Sequence, residues 1–218
     1  MSSLAAQVLG YFWLTTAAGA MAVGAAGLFS HRLRSVVIYS AVLQAGYIFL
    51  GLSAGFLAGQ AGAFVAAVFQ AIAAAAGIGL MWASSLAIGA EAGDELPLRE
   101  DAAPPAWCVF CLTVACMSLV GLPPLAGLPA RVAIIHAGLR NPGALFLVTI
   151  GAAVLGVVSL WVYAGILLPM IRGRVTVEHR PVSLRMRIAV DAMIGVLIGL
   201  GVAPYIGFAI GAAVVGAP

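Results

Sequence analysis

Long apolar runs, interrupted only briefly by polar or charged residues, repeat along the whole chain. Six are long enough to cross a bilayer: about 5–29, 36–57, 62–89, 106–138, 144–170 and 188–214. A hydrocarbon core of ~30 Å needs about 20 helical residues. The runs do not alternate and are too long for barrel strands, so they predict helices. The expected fold is all-α, a polytopic transmembrane bundle of about six spans.

The fourth run is too long for one span. Its 33 residues would form a rod of ~50 Å at ~1.5 Å per residue. Its middle reads Gly121-Leu-Pro123-Pro124-Leu-Ala-Gly127-Leu-Pro129. Proline removes a helix hydrogen bond and clashes with the preceding turn. The pattern therefore predicts two half-helices around an unwound joint inside the membrane, the alternative being a single kinked helix. Non-helical backbone at that depth is tolerated only where protein or a wet cavity surrounds it, and transporters use such breaks to handle ions.

Arg131 follows the joint directly. A charge within an apolar span costs at least ~2.5 kcal/mol on insertion scales. It either faces the bundle interior, where it would tune or block an ion path, or snorkels to the nearer interface. The carbonyl end of the first half-helix offers partial negative charge. His136, five residues on, is either a group titrating near neutral pH or a structural residue. Ser118 precedes the joint. In the second run, Ser40, Gln44 and Tyr47 follow an i, i+4, i+7 pattern and share a helical face, beside Tyr39. Such a stripe lines a water chain or binds helices together.

Composition agrees with the pattern. The chain has 218 residues, 64% hydrophobic and 8% charged, with mean hydropathy +1.16. Soluble domains carry about 25% charged residues, so a water-soluble fold is excluded. All ten basic residues are Arg, and no basic stripe with interleaved aromatics suggests nucleic acid. Eight of the ten fall at 31–34, 91–105 and 172–187, the odd-numbered connections. Positive charge is retained in the cytoplasm, which predicts cytoplasmic odd loops and external termini. The start lacks the basic segment of a secretory signal. Cys108 and Cys111 form a CxxC pair, but four-ligand metal or cluster sites need more than this, so they and Cys116 are read as buried hydrophobes. No catalytic, cofactor-binding or metal-binding set is expected. Asp191 lies four residues after Arg187 and is expected to pair with it. Gly-rich stretches at 19–27 and 151–156 suit close packing against partner helices.

Two segments resemble a known family. RLRSVVIYSAVLQAGYIFLGL resembles the KR–x–YSS–xx–[HQ]–x–GY helix of antiporter-like membrane subunits, and MSLVGLPPLAGLPARVAII resembles their second broken helix. Such subunits occur in respiratory complex I, membrane-bound hydrogenases and Mrp-type cation/proton antiporters. The similarity is nearest to the N-type subunit of complex I and covers its C-terminal half. It implies one five-helix antiporter-like repeat at 1–170, a basic cytoplasmic loop at 171–187 and a closing helix at 188–218. It also implies a bacterial inner-membrane protein with lipids and other membrane subunits of a proton-translocating oxidoreductase or hydrogenase as partners. Flavin, iron–sulfur clusters and quinone would reside in those partners.

The chain departs from that pattern. The proton-transferring Lys of the broken helix is Arg131 here, and Arg is effectively always protonated. Gln70 stands where a His can occur, and the other repeat, with its Lys and Glu, is missing from the matched region. Ser40, Tyr39, Gln44, Tyr47, Gln70, Ser118, Arg131 and His136 are a sparse set for a proton path. The resemblance leaves three roles open: a half-channel completed by a neighbour, a proton-inactive spacer in the same kind of complex, or a small independent cation/proton transporter.

Overall fold

The computed structural model describes residues 3–30, 32–87, 106–172 and 183–216. Eight helices make up the described residues: α1 Ser3–Leu28, α2 Leu33–Ala58, α3 Ala61–Ala87, α4 Ala106–Val120, α5 Gly127–Leu139, α6 Ala144–Ile171, α7 Leu184–Val202 and α8 Pro204–Val215. The acidic run 91–101 and the arginines at 99, 174 and 180 lie outside the described residues, as does His31. Four helices, α1, α2, α3 and α6, are each long and apolar enough to cross a membrane, and α7 with α8 form a fifth, bent pair.

The fourth run breaks where the prolines predict it. α4 ends at Val120 and α5 begins at Gly127. Gly121 adopts φ 85°, a left-handed conformation that suits glycine, and closes α4. Its N–H reaches Ser118 O (3.1 Å), and the Leu122 N–H reaches Met117 O (2.9 Å). This crossed pair satisfies two of the four carbonyls that any helix end leaves free. Pro123 and Pro124 have no N–H with which to continue the rod.

The closing segment corrects a sequence expectation. It is not one helix over 188–214 but two, α7 and α8, bent by 96°. The cause is local. Ala203 precedes Pro204 and takes φ −118°, ψ 65°, because the proline ring disfavours the helical region for its predecessor. Pro204 then opens α8, where a missing N–H is harmless. The bend rests on the other break: the Ala126 N–H in the α4–α5 joint donates to Leu197 O on α7 at 2.9 Å. Gly201 completes the fit, since a Cβ there would lie 1.9 Å from Pro124 O.

α2 and α3 form the centre. α3 packs on α2, α4, α5, α7 and α8, and Tyr47, Phe69, Leu43 and Leu112 fill the core between them. The glycines of α1 were expected to serve partner subunits. Gly24 and Gly27 instead press on α2 of the same chain, with a Cβ on Gly27 falling 1.9 Å from the Tyr39 ring. Gly19 and Gly151 face open space. The expected Arg187–Asp191 pair does not form among the described residues; Arg187 lies over the Trp107 ring at 5.7 Å, and Asp191 is exposed. An aromatic face close by outcompetes a carboxylate one helical turn away, which must hold two flexible side chains together for little gain. Arg34 similarly lies over Trp82 at 5.5 Å.

Candidate functional site at the broken helix

The joint leaves Leu119 O and Val120 O, the last two carbonyls of α4, without helical partners. Arg131 supplies them. Four residues into α5, its side chain runs back across the break, and its Nη1 donates to Val120 O and its Nη2 to Leu119 O. Nη2 also donates to Gln44 Oε1 at 3.2 Å. The guanidinium stacks 4.0 Å from the Tyr47 ring centroid, within cation–π range. Arg131 is 5% exposed, so it does not snorkel. Three charge-assisted bonds of ~1.5–3 kcal/mol each exceed the ~2.5–3.5 kcal/mol cost of a cation at the centre of a span. The partial negative charge of the α4 carbonyl end adds to this. A forked donor matches two adjacent carbonyls better than an ammonium point charge does.

Two glutamines extend the network. Gln44 Nε2 donates to Leu119 O (2.8 Å), and Gln70 Nε2 donates to Gln44 Oε1 (2.8 Å). The polar stripe of α2 thus faces the joint, and Gln70 on α3 joins it. Gln70 Oε1, Ser118 Oγ and Arg131 Nε are buried without a partner among the described residues. Buried polar atoms of that kind are where ordered water is usually held.

The remaining predicted residues divide. Tyr47 bonds to Ala152 O on α6 (2.6 Å), and Ser40 bonds both to Val36 O (2.6 Å) and to the Tyr163 hydroxyl (2.7 Å). Tyr39 is half-buried against Gly27 of α1 instead of facing the joint. His136 is exposed on the last turn of α5 and makes none of these bonds. Gly121, Pro123, Pro124, Gly127 and Pro129 form the break and the first turn of α5.

Sequence reading missed the α6 wall. Tyr163 is 1% exposed and Ser159, also buried, bonds to Gly156 O at 2.8 Å. Gly156 leaves room for the site: a Cβ there would lie 3.5 Å from Arg131 Nη1 and 3.7 Å from the Tyr47 hydroxyl. The signal was present, because Ser159 and Tyr163 stand four apart in an otherwise apolar span. Tyr163→Phe is expected to leave Ser40 bonded to Val36 alone and to cost about 1 kcal/mol. Unfolding in mixed micelles measures this; Tyr205→Phe on the exposed surface of α8 should change nothing.

The three thiols are buried and unpaired. Of the seven acids, Asp191 alone is described, so no described carboxylate neutralises Arg131. The site, as described, is a permanent cation held by backbone carbonyls, amides and a ring.

No known family profile matches the chain. Individual proteins do. It is 29% identical over 198 residues to NADH-quinone oxidoreductase subunit N of Methylobacterium nodulans, across 87% of this chain and 39% of that protein. It is 32% identical over 141 residues to NAD(P)H-quinone oxidoreductase subunit 2 of a Synechococcus species, across 64% of this chain and 26% of the relative. Among solved structures, a chain of the Mrp complex from Dietzia sp. superposes with TM-score 0.72 at 17% identity, over 94% of this chain and 46% of that one. A chain of the membrane-bound sulfane sulfur reductase, an archaeal respiratory membrane complex, gives 0.65 at 23% identity, over 88% and 32%. The chain spans less than half the length of each. In sequence and in fold it is a polytopic helical membrane protein similar to the antiporter-like subunits of complex I-type assemblies.

Proposed function

We propose that the chain is an antiporter-like membrane-arm subunit of a complex I-like, proton-translocating oxidoreductase. It contributes to coupling together with neighbouring membrane subunits, in a complex whose partner subunits carry the flavin, iron–sulfur clusters and quinone chemistry. One observation carries the reading. A buried cation sits at the carbonyl end of a broken helix, wired through Gln44 to Gln70 on two neighbouring helices. This chain's part is electrostatic and mechanical. Arg131 retains its proton while holding α4, α5, α2 and α3 in one register, so a movement of any of them is felt by the others.

A second reading is favoured by the same geometry: a proton-inactive member of such an assembly. The guanidinium already has three acceptors, and no described carboxylate lies beside it to pass a proton on. For localisation we propose a bacterial inner membrane with the odd connections cytoplasmic. Arg34 and Arg187 lie over Trp82 and Trp107, the tryptophans flanking connection 88–105, as interfacial belts do.

Affinity purification in mild detergent tests the assignment. The expected result is recovery with redox and membrane subunits of one complex. Recovery as a lone homo-oligomer that moves a solute in liposomes would replace it with the independent transporter.

A further inference from the structure

A groove of about 170 Å³ runs between α4 and α6. Its α6 wall includes Leu160, Ala164 and Leu168, an i, i+4 ladder. The next position on that ladder is Arg172. It caps α6 with near-helical φ −79° and ψ 3°, its N–H donating to Leu168 O, and it follows directly on Ile171, the last of the lining residues, at the exposed end of the groove. Met117 and Leu122 form part of the opposite wall, and Tyr163 lies at the floor with its hydroxyl turned to Ser40. Leu168 is 45% exposed, so the groove opens outward.

The dimensions suit one lipid leaflet. Leu160 lies near the middle of α6, and Arg172 lies about 18 Å farther along at ~1.5 Å per residue. One leaflet contributes ~15 Å of hydrocarbon. An apolar groove with a cation one position beyond its last lining residue complements a molecule with an apolar tail and an anionic head. Among the described residues, Arg172 has no side-chain partner. We propose that the groove seats one acyl chain of an anionic phospholipid whose phosphate lies on Arg172. The chain end then rests against Tyr163 and Leu122, beside the joint.

The full-length protein in nanodiscs of equimolar phosphatidylglycerol and phosphatidylcholine, followed by native mass spectrometry, tests this. Phosphatidylglycerol should be retained over phosphatidylcholine by about fivefold, the contribution of one basic residue near an anionic surface. Arg172→Gln should bring the two lipids to parity. Ala164→Trp should remove both, and Leu168→Trp at the open rim serves if the first variant misfolds. Ala153→Trp, on an exposed face outside the groove, should change nothing. Equal retention of both lipids by the unaltered protein would overturn the proposal. So would retention unaffected by both groove substitutions, or a dimer that Ala164→Trp dissociates, which would seat a second copy there.

Discussion

Arg131→Ala is expected to lower stability by on the order of 3 kcal/mol. The substitution strands Val120 O outright, leaves Leu119 O with Gln44 alone and removes one donor from Gln44. An unsatisfied buried polar group costs ~1–3 kcal/mol, and the vacated volume adds to that. The insertion cost of a charge does not offset this loss, because separated helices within the membrane carry the arginine too. Arg131→Lys should recover only part of the loss, since an ammonium presents no fork to the paired carbonyls. Denaturation in mixed micelles reads the ordering: unaltered, then Lys, then Ala. In the proposed assembly, coupled pumping should fall roughly tenfold for Ala, within the usual range of coupling energies, and less for Lys. Equal pumping by all three forms would remove Arg131 from coupling while leaving its structural role intact.

Gly127→Ala is expected to disrupt the break almost as strongly. A Cβ there would lie 1.8 Å from Ser118 O and 3.5 Å from the Gly121 Cα. The carbonyl is backbone and is already held by the Gly121 N–H, so it has little room to yield. Overpacking of this kind costs ~1–3 kcal/mol and occasionally more, and relief must come from sliding α5 away from α4. Such a slide would draw Arg131 off the two carbonyls, so its cost couples to that of Arg131→Ala and the double variant should be less than additive. Gly151→Ala on α6, where the new Cβ meets nothing within 4 Å, should be neutral or slightly stabilising. Equal stability of the Gly127 and Gly151 variants would show that the joint is looser than its packing indicates.

The main breaks were legible to different degrees. The α4–α5 joint could be read because Pro123 and Pro124 lie between two glycines with Pro129 just beyond, and several punctuating residues leave one outcome. The α7–α8 bend has a single Pro204, and a lone proline in an apolar run usually kinks a span without ending it. Proline breaks the helix locally at Ala203, but the large angle is braced by the close approach of Gly201 to Pro124, a contact between residues far apart in sequence. That Arg131 and the Gln44 stripe both turn inward was one of the readings open from local spacing, because a polar stripe and a buried charge both seek the interior; their direct contact was not legible there. His136 and Tyr39 resembled site residues by type and proximity in sequence. Helical phase decides otherwise: His136 lies five positions after Arg131, about 140° around the helix at 3.6 residues per turn, and faces outward. Tyr39 precedes Ser40 by one position and so belongs to the neighbouring face. Ser159 and Tyr163 carried the same four-residue spacing as Ser40 and Gln44, but no charge drew attention to them.

A permanent cation closes the carbonyl end of α4 from within the bundle. A density map of the chain in its native membrane assembly tests it most directly. The map should show a gap between Val120 and Gly127, with the guanidinium lying across it between the Leu119 and Val120 carbonyls and the face of Tyr47. Continuous helical density through 121–126, or a guanidinium extended to bulk water, would contradict it.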